Sequence, residues 1–338
     1  MRIGFVGIRR KYQELDPSYR GDFTRYHLEL PFYFSRDGKN DVCVTTVDYT
    51  DNGGCLRHMT EGDFLRSDEK LDVIVHWRRW FRELYRSEAL NFINCQDHSF
   101  GPEWKFDVVA ALERRELDGI LCFPTWHKTN LAMELGMAQD DPRLISGTTL
   151  GVDTEIYRPH DQKDPRELLW ASDPGRGLEG AVRLAIKLWQ RDRRFKLNIV
   201  YPDYVRIPPV INHPAVKVIG CLKNDPKLWD LFGRCGILPY TSVFKEPSSR
   251  AHRQAMAAGC LVLYPPDMGS PSFLIDDGKT GYVRDIDTWA DLIVESIADG
   301  SWSVVGSAAR KFAIEEDWRV QAGRFNETVR KMIEARGR

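Results

Sequence analysis

The chain has 338 residues, of which 42% are hydrophobic and 29% charged, with 48 basic against 49 acidic side chains. This length predicts about two domains. The composition excludes disordered, collagen-like and mucin-like chains, because these need fewer apolar residues or far more Gly and Pro. A net charge of −1 gives no overall attraction to nucleic acid or to a membrane.

In the first half of the chain, short β-branched runs alternate with helical stretches. The clearest helix is predicted at residues 106–117, where apolar residues recur at helical spacing. Strands separated by helical segments of this length imply βαβ units and a parallel sheet. The strands are predicted at residues 3–8, 42–47, 73–75, 89–94, 119–123 and 143–146.

Residues 151–166 interrupt this alternation, because they carry two prolines and many charges and continue no apolar period. We therefore place an N-terminal domain at residues 1–158 and a second domain at residues 159–306. Residues 307–338 are expected to form helices that pack back across the domains. In the second domain, strands are predicted at residues 168–171, 196–201, 216–219, 236–239 and 261–264, and helices at residues 178–191, 227–232, 248–258 and 289–298.

The cysteines and the apolar runs predict where the protein is found. Seven scattered cysteines without a Cys-x-x-Cys pair argue against a zinc ribbon or a disulfide framework, and favour a reducing compartment. The longest mostly apolar run, residues 255–264, is about half the length that spans a bilayer. Residues 1–7 are expected to form a buried strand rather than a signal peptide. We expect a cytoplasmic protein without a transmembrane segment.

Several catalytic motifs are missing from the sequence. No Gly-x-Gly-x-x-Gly follows the first strand, which argues against nicotinamide or flavin binding by the usual phosphate turn. Walker A, His-Glu-x-x-His and Gly-x-Ser-x-Gly motifs are also absent. No Asp-x-Asp pair follows any of the strands predicted here, which fits a reaction without a metal ion.

A buried strand at residues 168–171 leads into a glycine-rich turn with one arginine, Arg176. Glycines allow backbone amides to face an anion, and the start of the next helix adds partial positive charge. Arg176 can hold a phosphate through two hydrogen bonds. An ordinary turn with a solvated arginine explains the same residues equally well. The other candidates in this turn are Ser172, Gly175 and Gly177.

Glu246 lies just before the helix predicted at residues 248–258, on the carboxyl side of a strand. Gln254 lies two turns inside that helix and could reach the same ligand. For a lone carboxylate, however, a plain surface position is the commoner outcome. The remaining candidates are the helix start, Ser248, Ser249 and Arg250, where one of the serines caps the helix, and Gly269 after the strand at residues 261–264.

Three motifs share one domain, one order and one spacing: Arg176-Gly177-Leu178, Glu246-x7-Gln254-Ala-Met-Ala-Ala-Gly, and Ile275-Asp-Asp-Gly-Lys-Thr-Gly281. Through them the chain resembles retaining GT-B glycosyltransferases of the family 4 type. The resemblance covers residues 119–335 well and residues 1–118 in outline. It implies an α/β fold of two Rossmann-like parallel-sheet domains that face each other across a cleft.

The resemblance also implies an activity. The protein would move a sugar from a nucleotide-diphosphate sugar to a hydroxyl acceptor, with retention and without a metal or other cofactor. The diphosphate would sit on the amides of residues 172–177 and 248–250, with Arg176 as counter-charge. Glu246 would bind the sugar hydroxyls, and Gln254 would bind the ribose, although the family usually has a second Glu at that position.

In the N-terminal domain the resemblance implies a histidine near the donor sugar. His98 is the best positional match, and His76 after the strand at residues 73–75 is its rival. The run from Trp77 to Arg86 interleaves arginines with aromatic residues and could hold an acceptor. An amphipathic helix with residues 77, 80, 81 and 84 in the core is the favoured alternative. The candidate acceptor residues are His76, Arg78, Arg79, Arg9 and Arg10.

The acceptor is expected to be a glycan, a lipid or a small molecule. One alternative is DNA with hydroxymethylated bases of the phage type, because enzymes that glycosylate it share the GT-B fold, although the neutral charge counts against it. A second is a non-catalytic nucleotide-sugar binding protein, because position 254 lacks the usual Glu. A sugar-nucleotide epimerase of the related GT-B type is a third.

Overall fold

A computed structural model describes residues 1–7, 31–35, 40–46, 57–123, 126–147, 151–202, 205, 210–222 and 226–336. Their contacts separate two compact units. Unit 1 contains the described residues up to Gly151 and again from Trp318 onward, and unit 2 contains Val152–Asp317. The chain therefore changes unit at residues 151/152 and 317/318, whereas the predicted domain limits are 158/159 and 306/307.

Within the described residues, unit 1 is built on a seven-stranded sheet in which all pairings are parallel. The strand order is β3-β2-β1-β4-β5-β6-β7, so it reverses once, between β1 and β4. The strands are β1 (Arg2–Val6), β2 (Asp41–Thr46), β3 (Arg57–Thr60), β4 (Val73–Trp77), β5 (Leu90–Asn94), β6 (Gly119–Cys122) and β7 (Leu144–Ser146).

Unit 2 is built on a six-stranded parallel sheet, again within the described residues. Its order is β10-β9-β8-β11-β12-β13, which reverses between β8 and β11. The strands are β8 (Asp164–Ala171), β9 (Lys196–Val200), β10 (Val216–Gly220), β11 (Cys235–Pro239), β12 (Leu261–Tyr264) and β13 (Tyr282–Val283). In open parallel sheets, ligands bind at such reversal points, beyond the carboxyl ends of the strands.

Helices connect the strands of both sheets. They are α1 (Glu61–Arg66), α2 (Pro102–Glu113), α3 (Trp126–Leu135), α4 (Leu178–Arg191), α5 (Pro226–Arg234), α6 (Arg250–Ala257), α7 (Ser270–Leu274), α8 (Trp289–Ala298), α9 (Ser301–Glu315) and α10 (Trp318–Ala335). Residues 31–35 are also helical. None of these helices is long and apolar enough to cross a membrane, as far as the described residues go.

The sheet of unit 2 is buried on both faces, which explains why β8 is continuously apolar toward its end. Leu168 and Trp170 pack on one face with α4, and Leu169 packs on the other. Full burial of a leucine side chain contributes about 1.5–3 kcal/mol. Both apolar layers therefore hold the carboxyl end of β8, and the turn that follows it, in place.

The last helix, α10, packs into the core of unit 1. Phe325 stacks on Phe34 with ring centroids 4.6 Å apart and meets Phe92 edge-on at 6.0 Å. Trp318, the first residue of α10, stacks on Tyr33 in the same core.

Three local features differ from what the sequence predicts. The edge strand β3 was not predicted, because only His58 in its polar sequence is buried. Helix α2 begins at Pro102, a favourable first helical residue, and Phe106 is 75% exposed rather than in the core. The helix expected at residues 77–86 is absent: Trp77 ends β4, and a short 3-10 turn spans Arg82–Leu84. The apolar side chains at positions 77, 80, 81 and 84 are nevertheless buried, as predicted.

Candidate functional site

The turns that follow β8, β11 and β12 lie side by side, because these three strands are neighbours in the sheet of unit 2. The first turn carries Arg176, the second carries Glu246 and the third carries Gly269. The first two flank the point at which the strand order reverses. The candidate site is assembled from these three turns.

The turn after β8 is closed by its own hydrogen bonds. The Asp173 carboxylate accepts from the Gly175 amide at 2.8 Å, and the Asp173 carbonyl oxygen accepts from the Arg176 amide at 3.0 Å. The Gly177 amide donates to the Pro174 carbonyl oxygen at 3.4 Å. Gly177 then adopts φ 115°, a conformation that favours glycine, and α4 begins at the next residue.

The turn after β11 is fastened directly to this turn. The Thr241 hydroxyl donates to the Gly177 carbonyl oxygen at 2.6 Å, and the Val243 amide donates to Arg176 at 3.3 Å. A Cβ atom on Gly177 would overlap the Thr241 carbonyl oxygen, so only glycine permits this approach. The backbone around Arg176 is thus held against the strand that leads to Glu246.

Arg176 and Glu246 form an ion pair across the reversal point. The Arg176 Nη1 atom lies 2.7 Å from Glu246 Oε1, and the side chains are 44% and 3% exposed. The Tyr240 hydroxyl donates to the same Oε1 atom at 2.8 Å. Because its hydrogen is used there, Tyr240 accepts from the Ser172 hydroxyl, 3.2 Å away. These two contacts both use the Oε1 atom of the carboxylate.

Burial controls the protonation of this cluster. Burial raises the pKa of Glu246, while Arg176 and the Tyr240 hydroxyl act in the opposite direction. Burial and the nearby Glu246 carboxylate raise the pKa of Tyr240, so this hydroxyl stays protonated and remains a donor. The site therefore presents one accessible guanidinium group beside one buried carboxyl group.

The third turn fixes the backbone of Glu246. The Glu246 amide donates to Met268 at 2.9 Å, and the Ser270 amide donates to the Glu246 carbonyl oxygen at 2.9 Å. Gly269, with φ 94°, lies so close that a Cβ atom would overlap Glu246 backbone atoms. The backbone that carries the Glu246 carboxylate is thus fixed by contacts with the turn after β12.

The helix start predicted near this site is also present. Ser249 caps α6 by accepting from the His252 amide at 3.3 Å, which identifies the capping serine. Ser248 contacts Arg253, and Arg253 pairs with Glu316 at 3.3 Å. Arg250 is the first residue of α6 and is partly exposed.

Gln254 is buried and already bonded within unit 2. Its side-chain amide nitrogen donates to the Tyr157 hydroxyl at 2.8 Å. That bond uses one of the two N–H groups of the amide and leaves its carbonyl oxygen out. The amides of Gly175, Arg176 and Gly177 are likewise satisfied inside their own turn. The structure thus shows this turn offering a guanidinium group rather than the free amides expected from the sequence.

The N-terminal candidates lie in unit 1. His98 is exposed, and its ring lies 5.0 Å from that of Trp126. His76 lies inside β4 rather than after a strand and is fully buried, and burial lowers its pKa to about 3. The Arg79 guanidinium lies over the rings of Phe81 and Trp104.

Arg78 comes directly after β4, and its Nη1 atom lies 3.5 Å from an Asp97 carboxylate oxygen. Arg9 and Arg10 lie outside the described residues.

Three aromatic residues near Glu246 were not predicted to belong to the site. Trp170, Tyr240 and Tyr264 stack in sequence, with ring centroids 5.7 and 5.4 Å apart. Each lies at or next to the last residue of its strand. The sequence signal that could have identified them is an aromatic residue at or beside the end of each of these three predicted strands. Among the described residues, no group of three or more His, Cys, Asp or Glu side chains could hold a metal ion.

Three solved structures resemble the chain over almost its whole length. A glycosyltransferase from Rickettsia africae ESF-5 has a TM-score of 0.71 at 13% identity, covering 98% of each chain. Anabaena Alr3699/HepE in complex with UDP has a TM-score of 0.69 at 15% identity, covering 98% of this chain and 100% of that one. Sucrose-phosphate synthase from Thermosynechococcus elongatus has a TM-score of 0.68 at 12% identity, covering 99% and 100%. No family model matches the chain, and no curated protein matches it.

Together with the two all-parallel sheets, these likenesses define the class of the fold. The chain is an α/β protein of the GT-B type, with two Rossmann-like units, and the predicted fold class is confirmed. At 12 to 15% identity the likeness establishes the fold alone.

Proposed function

We propose that the protein is a glycosyltransferase that moves a sugar from a nucleoside-diphosphate sugar to a hydroxyl acceptor. The observation that carries the proposal is the Arg176–Glu246 ion pair, 2.7 Å long, at the reversal point of the unit 2 sheet. Structures of the same fold include one in complex with UDP-glucose. The retaining outcome and a reaction without a metal ion are part of the proposal and rest on the sequence motifs.

In this proposal Arg176 binds the diphosphate. A diphosphate carries its charge on oxygens that a guanidinium group holds through paired hydrogen bonds. The Arg176 side chain is 44% exposed, so a ligand can reach it. As the sugar–phosphate bond breaks, negative charge grows on the leaving diphosphate, and a cation already in place stabilises that charge.

Glu246 orients the sugar. Without a ligand, its Oε1 atom is held by Arg176 and Tyr240. With the donor bound, Arg176 turns to the diphosphate, Tyr240 stays on Oε1, and Oε2 accepts a hydrogen bond from a sugar hydroxyl. The backbone contacts of Glu246 with the loop after β12 keep the carboxylate in one position. Catalysis then depends on positioning and charge stabilisation, with Glu246 as a binding group.

The other candidates take secondary places. The carbonyl oxygen of Gln254 accepts from a ribose hydroxyl, and the start of α6 at Ser249 and Arg250 faces the donor. His98, an exposed histidine of unit 1, is the residue that we propose for contact with the sugar. The acceptor is a glycan, a lipid or a small molecule.

The test compares Arg176→Ala with Arg183→Ala. Arg183 lies in the second turn of α4, is 71% exposed and pairs only with Glu179 among the described residues, which makes it a matched control. Melting temperatures are measured with UDP-, GDP-, ADP- and dTDP-sugars, and hydrolysis of the donor is followed without acceptor. At least one donor should stabilise the wild type by mass action.

Arg176→Ala should lose this stabilisation and at least ~100-fold in turnover, while Arg183→Ala should behave as wild type. Full activity of Arg176→Ala would overturn the proposal. A donor that binds but is never hydrolysed would favour a non-catalytic binding protein instead.

A further inference from the structure

The turn between β11 and Glu246 presents two consecutive apolar side chains to solvent. Val243 and Phe244 are 60% and 57% exposed, and among the described residues they are the only large exposed apolar side chains that are adjacent in sequence. A third, Phe273 at 54%, lies in α7, just after the neighbouring turn. Single exposed apolar residues need no explanation, but a group of them beside a ligand site does.

Hydrogen bonds hold the backbone of this turn in one conformation. The Ser242 hydroxyl, itself buried, accepts from the Phe244 amide at 3.2 Å and donates to the Phe244 carbonyl oxygen at 2.8 Å. The Val243 amide donates to the Arg176 carbonyl oxygen at 3.3 Å. A rearrangement that covered the two apolar side chains would break these bonds, so the turn keeps them in contact with solvent.

The same turn borders the Arg176–Glu246 pair on both sides. Val243 Cγ1 lies 3.5 Å from where a Cβ atom of residue 177 would be, so this side chain lies beside the turn that carries Arg176. Phe244 comes two residues before Glu246, a separation of at most ~7 Å along the backbone. A molecule that approaches the ion pair therefore meets apolar surface next to it.

We infer that Val243 and Phe244 bind an apolar group of the acceptor, so that the acceptor carries an alkyl chain or an aromatic ring next to its hydroxyl-bearing part. In the proposed function the diphosphate lies on Arg176 and the sugar on Glu246, and the acceptor approaches the bond between them. Contact between its apolar group and this turn removes apolar surface of both partners from water. A plain sugar leaves the two side chains exposed and gains nothing from them.

The role of this contact in acceptor binding rests on the proposed function. The existence of the apolar contact itself rests on the side chains of unit 2 alone. Binding of UDP and binding of the apolar group can therefore be measured in the same sample and can fail separately.

The experiment compares Phe244→Ser with Phe106→Ser in the full chain. Phe106 lies in α2 of unit 1 and is 75% exposed, so the control makes the same substitution at an exposed position outside unit 2. Neither side chain belongs to a core, and both variants should keep the melting temperature of the wild type.

The probes are the methyl, hexyl and phenyl glycosides of glucose, galactose, mannose and N-acetylglucosamine, and UDP is added to each sample. Saturation-transfer NMR gives the dissociation constants. The wild type should bind at least one hexyl or phenyl glycoside ~10-fold or more tightly than the matching methyl glycoside, which corresponds to about 1.4 kcal/mol. A larger gain from hexyl identifies a lipid-like acceptor, and a larger gain from phenyl identifies an aromatic one.

Phe244→Ser should abolish this preference, Phe106→Ser should retain it, and UDP should bind all three proteins equally. Equal binding of methyl and apolar glycosides by the wild type, or binding of none, would overturn the inference. A preference that survives Phe244→Ser would do the same, as would loss of UDP binding in Phe244→Ser, since the turn would then serve the donor. If the wild type binds no nucleotide but shows a preference that depends on Phe244, the proposed function fails and the apolar contact stands.

Discussion

Gly177→Ala tests whether the site depends on close contact between two turns. Gly177 has φ 115° and lies against the Thr241 backbone, and a methyl group there would overlap the Thr241 carbonyl oxygen. Because a carbonyl in a strand-end turn cannot rotate away alone, the turns after β8 and β11 must separate. Arg176, the preceding residue, then moves relative to Glu246.

The cost follows from the contacts that are lost. An alanine held at a left-handed φ costs about 1–2 kcal/mol. Separating the turns also breaks the bonds from Thr241 to Gly177, 2.6 Å, and from Val243 to Arg176, 3.3 Å, each worth about 1 kcal/mol. The sum is about 3–4 kcal/mol, which for a unit of this size lowers the melting temperature by roughly 10 °C. A displacement of Arg176 by about 1 Å would reduce kcat/KM about 100-fold.

Urea denaturation and donor turnover measure these effects, with Gly175→Ala as control. Gly175 lies in the same turn but is exposed, and the nearest atom to a Cβ there is Asp173 Oδ1 at 3.2 Å. This control should change stability by no more than about 0.5 kcal/mol. If Gly177→Ala proves as stable and active as Gly175→Ala, contact between the turns does not hold the site together.

Two further substitutions test the hydroxyl that supports Glu246 and the effect of buried His252 on stability at low pH. Tyr240→Phe removes the hydroxyl that donates to Glu246 at 2.8 Å. We expect kcat/KM to fall about tenfold and the free energy of unfolding to fall by about 1 kcal/mol. Unchanged kinetics would show that this hydroxyl does not position Glu246. His252 is buried, and burial lowers its pKa to about 3, so below pH ~6.5 the unfolded chain binds a proton that the native state does not. Stability should fall as the pH drops from ~6.5 toward 3, and His252→Leu should remove up to about 1.4 kcal/mol per pH unit of that slope. Urea midpoints between pH 7.5 and 4.5 measure this, and a slope equal to that of the wild type would contradict it.

The sequence predicts the strand ends of unit 2 well, because strands buried on both faces are continuous apolar runs. That pattern places Arg176 and Glu246 just after two strands. It cannot show that the two strands are neighbours. β8 pairs with β11, although β9 and β10 lie between these two strands in the chain. The ion pair is thus a consequence of topology that no local pattern contains.

Other differences have equally physical causes. The amides around Gly177 were expected to be open to an anion, but the Asp173 side chain and the turn carbonyls occupy them. An Asp two residues before a Gly is a common self-capping turn, so this outcome was readable from the sequence. His76 was placed after its strand because the apolar run ends at residue 75, yet tertiary pairing extends β4 to Trp77 and buries the ring.

In the proposed reaction the donor diphosphate binds Arg176 in exchange for the ion pair between Arg176 and Glu246. A diphosphate bound to Arg176 replaces Glu246 as the partner of the guanidinium group. The Glu246 side chain is 3% exposed, so water cannot replace the lost hydrogen bond. Tyr240 alone would remain on Oε1. A nucleotide without a sugar therefore leaves a buried carboxylate with one donor, whereas a nucleotide sugar brings a hydroxyl to it. Under this proposal the site prefers a nucleotide sugar to a free nucleotide, because only the sugar supplies a hydrogen bond to Glu246. The buried carboxylate is thus the source of this selectivity.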